Sequence, residues 1–580
     1  MSSTGTRLAA SLVHEGGSRP VFAGRLRRRP MRWELPWLAI SLVAALAMLA
    51  PIAGLAWFAA RGSGALWPHL AANVLPVALR STAILLIGVG ALTSIIGVGT
   101  AWLIAMYRFP GRRVFEFALL LPLAVPTYII AFAYLDVTHP LGPVQSFVRD
   151  LLGISDPRGL WFPDIRSMAG AVFVLGFVLY PYVYLPVRAL FVMQSATLLE
   201  AARTLGAGRA ATFFRVALPL ARPALVIGLS LALLETLNDI GASEFLGIRT
   251  LTVSIYTTWV TRSSVEGAAQ IALFMLAIVL IILAAERLAR RRQRYAGVGR
   301  SRPPNPLRLT GWQAGGAFAF CALPILLGFA VPAAYLAGAA WTRIAAHGLP
   351  RGLGEWIGNT IGFALSATVV ATVLGLALAY AVRLVRHPAA RALVRFASIG
   401  YAIPGTVLAV GLLVPLAGLD NYIADAVRTL FGFSPGLIFI GSGAGLAFAY
   451  VLRFLTIAIG ASEAGFAKIS PSLDMASRSL GAGPIKTGLR IHLPLLTPAL
   501  GAAALLVFVD CMKELPATLL LRPFNFETLA TQIYGEAARG TYEDGAVSAL
   551  VIVLAGLLPV LLLSRMGGGT GWRQIIGNGR

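Results

Sequence analysis

Polar residues interrupt this 580-residue chain only at wide intervals. The apolar stretches between them have the length a helix needs to cross a bilayer, about 20 residues. Twelve such stretches predict spans near 37–59, 82–106, 114–135, 169–192, 223–245, 267–285, 316–340, 360–382, 397–418, 436–459, 497–520 and 546–564. The first reads as a span and not as a cleaved leader. It is longer than a leader's apolar core, follows a long basic segment and precedes no clear small-residue cleavage site.

Composition sharpens this picture. Hydrophobic residues make up 57% of the chain, charged residues only 12%, and mean hydropathy is +0.78. A soluble domain would carry about 25% charged residues. That excludes a soluble multi-domain enzyme and a disordered chain. Two cysteines, Cys321 and Cys511, both in apolar segments, exclude a disulfide framework and a cysteine-based metal site. The formal net charge of +24 suggests nucleic acid at first sight, but no loop is long enough to fold into a basic domain. The charge is sided instead. Loops on one side of the twelve spans hold 33 of the 48 Lys and Arg, loops on the other hold 12, and Arg188, Arg453 and Lys513 fall within spans. By the positive-inside rule the basic side, which includes both termini, is cytoplasmic.

The second half of the chain repeats the first at an offset of 275–278 residues. Arg108-Phe-Pro-Gly-Arg-Arg113 matches Arg386-His-Pro-Ala-Ala-Arg391, and Pro126 matches Pro404. Leu205-Gly206-Ala207-Gly208 matches Leu480-Gly481-Ala482-Gly483, and Leu218-Pro219 matches Leu493-Pro494. Equivalent loops face the same side, so this is a parallel duplication around a central path. The expected layout is a basic tail 1–36, a first six-span domain 37–285, a linker 286–315, a second six-span domain 316–565 and a tail 566–580. Eight arginines and Ser301-Arg302-Pro303-Pro304-Asn305-Pro306 mark the linker.

The loop between spans 4 and 5 reads Glu200-Ala201-Ala202-Arg203-Thr204-Leu205-Gly206, then nine residues, then Val216-Ala217-Leu218-Pro219. Its helix formers, glycine and proline predict a short helix, a sharp break and a second helix entering the bilayer. The second copy reads Met475-Ala476-Ser477-Arg478-Ser479-Leu480-Gly481, then nine residues, then Ile491-His492-Leu493-Pro494. Met475 stands where the first copy has Glu200, and Asp474 beside it offers a substitute acid. Both loops resemble the EAA loop of ABC importer permeases, EAA-x3-G-x9-I-x-L-P. The resemblance implies an all-α integral membrane protein of the type I importer permease fold in the bacterial inner membrane. It implies that Glu200, Ala201, Ala202, Gly206, Pro219, Asp474, Met475, Ala476, Gly481 and Pro494 couple to an ATP-binding subunit, present twice. It also implies a periplasmic substrate-binding protein. The chain has no Gly-x4-Gly-Lys-Ser/Thr phosphate loop, so no enzyme activity and no directly bound cofactor are expected of it. The resemblance implies that ATP is hydrolysed on the partner.

Further strings are similar to ferric-iron importer permeases. They are Leu121-Pro-Leu-Ala-Val-Pro-Thr-Tyr128, Leu237-Asn-Asp-Ile-Gly241, and Asp510-Cys-Met-Lys-Glu-Leu-Pro-Ala-Thr-Leu-Leu-Leu-Arg-Pro-Phe524 running into Asn525-Phe-Glu-Thr-Leu-Ala530. Permeases for thiamine, polyamines and phosphonates share parts of them. Glu235 with Asp239, and Asp510 with Glu514, fall at matching places in spans 5 and 11. Each pair is four residues apart, which on a continuous helix is one face. Acids inside a membrane are costly and face a path or a partner, and carboxylate oxygens suit a hard cation. Glu235, Asp239, Asp510, Lys513 and Glu514 are therefore the candidates for the path. The alternative is a structural role, with the acids neutralised by Lys513, Arg453 or Arg188. Glu116 and Glu244 read as wet span ends, Pro126 and Pro404 as kinks, and His492 as a docking contact. No residue set suggests covalent catalysis or a resident metal. A proton-coupled secondary transporter, also often of twelve spans in two halves, is the competing class, but the two EAA-like loops are not expected there.

Overall fold

The computed structural model describes residues 34–157, 159–193, 202, 204–291, 306–385 and 387–567. Most of the two tails, the middle of the linker, and Glu200 and Ala201 lie outside them. The helices of the first half are α1 (Leu35–Arg61), α2 (Leu66–Met106), α3 (Arg112–Ala124), α4 (Thr127–Val137), α5 (Pro143–Leu152), α6 (Met168–Met193), α7 (Arg209–Asn238), α8 (Gly241–Phe245), α9 (Leu251–Val260) and α10 (Val265–Arg291). Those of the second are α11 (Gly311–His347), α12 (Leu353–Leu384), α13 (Pro388–Ala397), α14 (Gly405–Phe431), α15 (Gly443–Ala467), α16 (Pro471–Ser479), α17 (Pro484–Met512), α18 (Pro516–Leu521), α19 (Leu529–Arg539) and α20 (Tyr542–Gly567). Eleven helices among the described residues are long and apolar enough to cross a membrane, and α3 with α4 makes a twelfth as a bent pair.

Four expected spans are not continuous; 223–245 and 497–520 break after Asn238 and Met512, and the other two break at prolines. The stretch 114–135 is split into α3 and α4, which meet at 91°. The stretch 397–418 is split between α13 and α14, and α14 runs on to Phe431. Proline explains both breaks, because its ring forces the preceding residue out of the helical region. Val125 and Ile403 both take extended backbone with ψ 121°. Pro126 (ψ 146°) and Pro404 (ψ 144°) then start new helices. These prolines are hinge points between separate helices, a larger effect than the expected kink. A small strand pair also departs from an all-helical reading. Residues Tyr107–Arg108 (β1) pair in parallel with Leu307–Arg308 (β2), which fastens the end of the linker to the loop after α2.

Each half is built on three helices packed on one another, α2, α6 and α7 in the first and α12, α15 and α17 in the second. The leading helix of each half crosses to the other. α1 packs on α13 and α14, while α11 packs on α2, α3, α4 and α20. Small residues permit these crossings. A Cβ on Gly411 of α14 would overlap the Pro51 carbonyl oxygen of α1, and one on Gly54 would overlap the Gly411 carbonyl oxygen. Cys321 and Cys511 are buried and free, as small core residues.

Candidate functional site

The centre of the molecule is set by two further helix breaks. α7 ends at Asn238, where Asp239 turns extended (ψ 119°), and α8 begins at Gly241. α17 ends at Met512, and α18 begins at Pro516. Neither acid pair therefore lies on one continuous helix face, contrary to the spacing argument. Glu235 and Asp510 are on the helices, while Asp239 and Glu514 lie past their ends. There they accept hydrogen bonds from the N-terminal amides of the short helices that follow. Asp239 accepts from the Ser243 amide at 2.9 Å, and Glu514 accepts from those of Ala517 at 3.0 Å and Thr518 at 3.1 Å. Free amides at a helix N-terminus favour a carboxylate, which gives both acids a shared structural task.

The breaks nevertheless bring all five candidates together. Glu235, Asp239, Asp510, Lys513 and Glu514 line one cavity of about 100 Å³, with Thr127, Tyr128, Asn238, Tyr401 and Arg453. The two halves are wired differently. In the second, Lys513 Nζ lies 2.8 Å from Asp510, and Arg453 Nη1 lies 3.3 Å from Glu514. In the first, both carboxylates meet hydroxyls. The Tyr401 hydroxyl donates to Glu235 at 2.7 Å, and the Thr127 hydroxyl donates to Asp239. Gly405 stands where the first half has Thr127, and a Cβ there would sit 2.7 Å from Glu514 Oε1 and collide with the Arg453 guanidinium. Asn238 joins the halves, its side-chain oxygen accepting from the Gly405 amide at 2.8 Å and from Arg453 at 3.1 Å. Four carboxylates thus face two cations, and the formal excess of two negative charges falls on the first half. Among the described residues, no three of His, Cys, Asp and Glu are grouped to hold a metal ion.

Several polar residues take other places than expected. Arg188 pairs with Glu116 and not with the cavity acids. Glu116 is thus an ion-pair partner, and Glu244 accepts from the Tyr534 hydroxyl across the halves. His492 is 1% exposed, so it offers no docking contact. Its Nε2 lies 2.8 Å from Asp474, without the alignment of a hydrogen bond. Asp474 also takes the Arg383 guanidinium at 2.8 Å, so it points into the fold and not outward as a substitute for the missing Glu.

The two EAA-like loops share one geometry. In the second, α16 ends in a left-handed glycine, Gly481 at φ +74°. The Ala482 amide then donates to the Ser477 carbonyl at 3.0 Å, and the Gly481 amide to that of Arg478 at 3.0 Å. This pair of bonds is a Schellman cap. In the first, Gly206 has φ +84° and the Ala207 amide donates to the Ala202 carbonyl at 3.0 Å. After each glycine come a helical turn and a π-turn, Phe213–Ala217 and Gly488–His492, before Pro219 and Pro494 enter the long apolar helix. Met475 and Ala476 lie in α16. The two apolar tips, Leu205 and Leu480, are each 87% exposed.

Sequence reasoning assigned no role to Asn238, Tyr401 or Thr127. The available signal was position, since each lies within a few residues of a break-forming proline or an intramembrane acid.

Residues 93–295 match the family model described as "Binding-protein-dependent transport system inner membrane component". The chain is 26% identical to the Fe(3+)-transport system permease protein FbpB 2 of Haemophilus influenzae over 84% of its length and 89% of that protein. It is 31% identical to the molybdenum transport system permease protein ModB of Escherichia coli K12, over 35% of this chain and 87% of that protein. It is 29% identical to the sulfate transport system permease protein CysT of E. coli K12, over 37% of this chain and 76% of that protein. With its membrane-crossing helices, its two halves and these relatives, the chain belongs to the inner-membrane components of binding-protein-dependent transport systems, the permeases of ABC importers.

Proposed function

We propose that this permease forms the path for ferric iron handed over by a periplasmic binding protein, with transport driven by ATP hydrolysis on a separate subunit present in two copies. The observation that carries the substrate reading is the excess of carboxylate over cation in the central cavity. A low-dielectric site of that sign favours a cation and opposes an oxyanion. The ferric-iron permease that aligns over 84% of the chain supports it. In this reading residues 37–285 and 316–565 are the two transmembrane domains, 286–315 is a cytoplasmic linker, and both tails are cytoplasmic.

The coupling surface is the pair of loops at Glu200–Pro219 and Asp474–Pro494. Their exposed Leu205 and Leu480 fit grooves on the two ATPase copies, and their glycine turns hold each tip at a fixed angle. Motion of these loops reaches the cavity along α7 and α17, whose far ends lead to Asn238 and Lys513. Opening the path requires Asn238 to leave Arg453 and Gly405, because those bonds join the halves. The chain is the conduit and not the enzyme.

A second reading, an oxyanion such as molybdate or sulfate, is favoured by the ModB and CysT relatives, each of which matches about a third of the chain. Uptake separates the two. Cells lacking this chain should lose uptake of labelled ferric iron and keep that of labelled molybdate and sulfate. Restoration by the wild type but not by Glu235→Gln is the expected result. Intact iron uptake with lost molybdate or sulfate uptake would move the chain to the second reading.

A further inference from the structure

A second hollow, of about 460 Å³, opens where α2, α7 and α11 end. Its walls include Trp102, Tyr107, Arg209, Phe213, Leu309 and Trp312. Trp102 is in the last turns of α2, Arg209 and Phe213 are in the first turns of α7, and Trp312 is the second residue of α11. Every wall therefore lies where a membrane-crossing helix meets water, the depth at which aromatic rings and phospholipid headgroups gather.

The hollow is apolar below and basic at the rim. Trp102 and Tyr107 are buried, at 8% and 6% exposure, but Trp312 is 84% exposed and leaves the side open. At the related place in the other half, Trp37 near the start of α1 closes edge-on against Tyr380, with ring centroids 5.3 Å apart. Tyr380 stands at the position of Trp102 in the repeat, so one half fills from within the chain what the other leaves open. At the rim, Arg209 donates to Gln313 on α11 at 3.0 Å. The β1–β2 ladder, which pairs Tyr107 with Leu307 and Arg108 with Arg308, holds the lining residues Tyr107 and Leu309 in place. No acidic side chain is among the described lining residues.

We infer that this hollow binds an anionic phospholipid, its phosphate at Arg209 and an acyl chain between Trp312 and the Trp102–Phe213 wall. Basic pockets between membrane helices take anionic headgroups in this way. The lipid would bridge the first coupling loop, within which Arg209 lies, to the end of the linker held by β2. The inference does not depend on which substrate the permease carries.

The test uses the purified full chain in nanodiscs, with dibrominated phosphatidylglycerol or phosphatidylcholine as quencher. The Trp312 signal is the difference between wild type and Trp312→Phe. It should be quenched about fivefold more effectively by phosphatidylglycerol, the preference that one basic group near the surface confers. Arg209→Gln should remove the preference. Gln313→Glu, which leaves Arg209 in place and adds a negative charge at the rim, should do the same. Equal quenching by the two lipids, or a preference that survives both substitutions, would overturn the inference. So would displacement of the brominated lipid by glycerol phosphate at equal concentration, which would give the site to a soluble anion.

Discussion

Arg453 and Glu514 form a buried ion pair at the centre of the molecule, with side chains 7% and 2% exposed. Removing one member of such a pair costs about 3–5 kcal/mol, because the other charge is left uncompensated. Here the cost of Arg453→Met should be at the lower end, about 3 kcal/mol. Glu514 keeps the Ala517 and Thr518 amides and the Thr518 hydroxyl as donors. Glu514→Gln should cost about the same, roughly 3 kcal/mol. It leaves Arg453 with Asn238 as its hydrogen-bond acceptor but removes its counter-charge. Once one partner is gone, loss of the other removes a liability. The double variant should therefore cost about 3 kcal/mol and not about 6, a coupling of about 3 kcal/mol. Unfolding of the four proteins by SDS in mixed micelles measures the cycle. Additivity within about 0.5 kcal/mol would refute the pairing.

Gly411→Ala should lower the thermal midpoint sharply, at a cost of about 1–3 kcal/mol, since its Cβ would overlap the α1 backbone. Gly418→Ala, with nothing within 4 Å, is the control and should not lower it. Gly481→Ala should cost about 1–2 kcal/mol for its left-handed backbone and weaken association with the ATPase in pull-down, with membrane insertion unchanged. Leu205→Asp and Leu480→Asp together should abolish that association without moving the thermal midpoint, because both side chains are exposed. Retained association would place the docking surface elsewhere.

The apolar stretches and the repeat carried most of the fold, because a helix in lipid must satisfy its backbone internally and so announces itself by length. They misled at 114–135, 223–245, 397–418 and 497–520, where hydropathy is continuous but the backbone is not. Pro126 and Pro404 were visible, yet a proline in an apolar run does not by itself distinguish a kink from a break. The same blindness undid the face argument for Glu235 with Asp239. Nothing in the local sequence says that the helix ends at Asn238; the end is made by Asp239 accepting from the next helix and by contacts with the other half. The path residues could still be picked out by their cost, since a carboxylate inside a membrane must have a reason to be there. Of their partners, Arg453 and Lys513 could be named as neutralising cations, but Tyr401 could not, because a hydroxyl from a distant part of the chain carries no such signal. Asp474 shows the limit at the coupling loop, where a neighbouring acid turned inward to Arg383 and His492.

The crossing of α1 onto α13 and α14 bears on how the chain is made. The first of the described helices has its main packing surface on segments synthesised more than 300 residues later. Until they arrive, Gly54 and the face around it must lie against lipid or a chaperone of the insertion machinery. α11 finds α2, α3 and α4 already in the membrane when it emerges, but its most extensive contact, with α20, is likewise deferred. The order of insertion and the order of assembly therefore differ, and α3 and α4, which pack on α20, wait in the same way for the last helix of the second half.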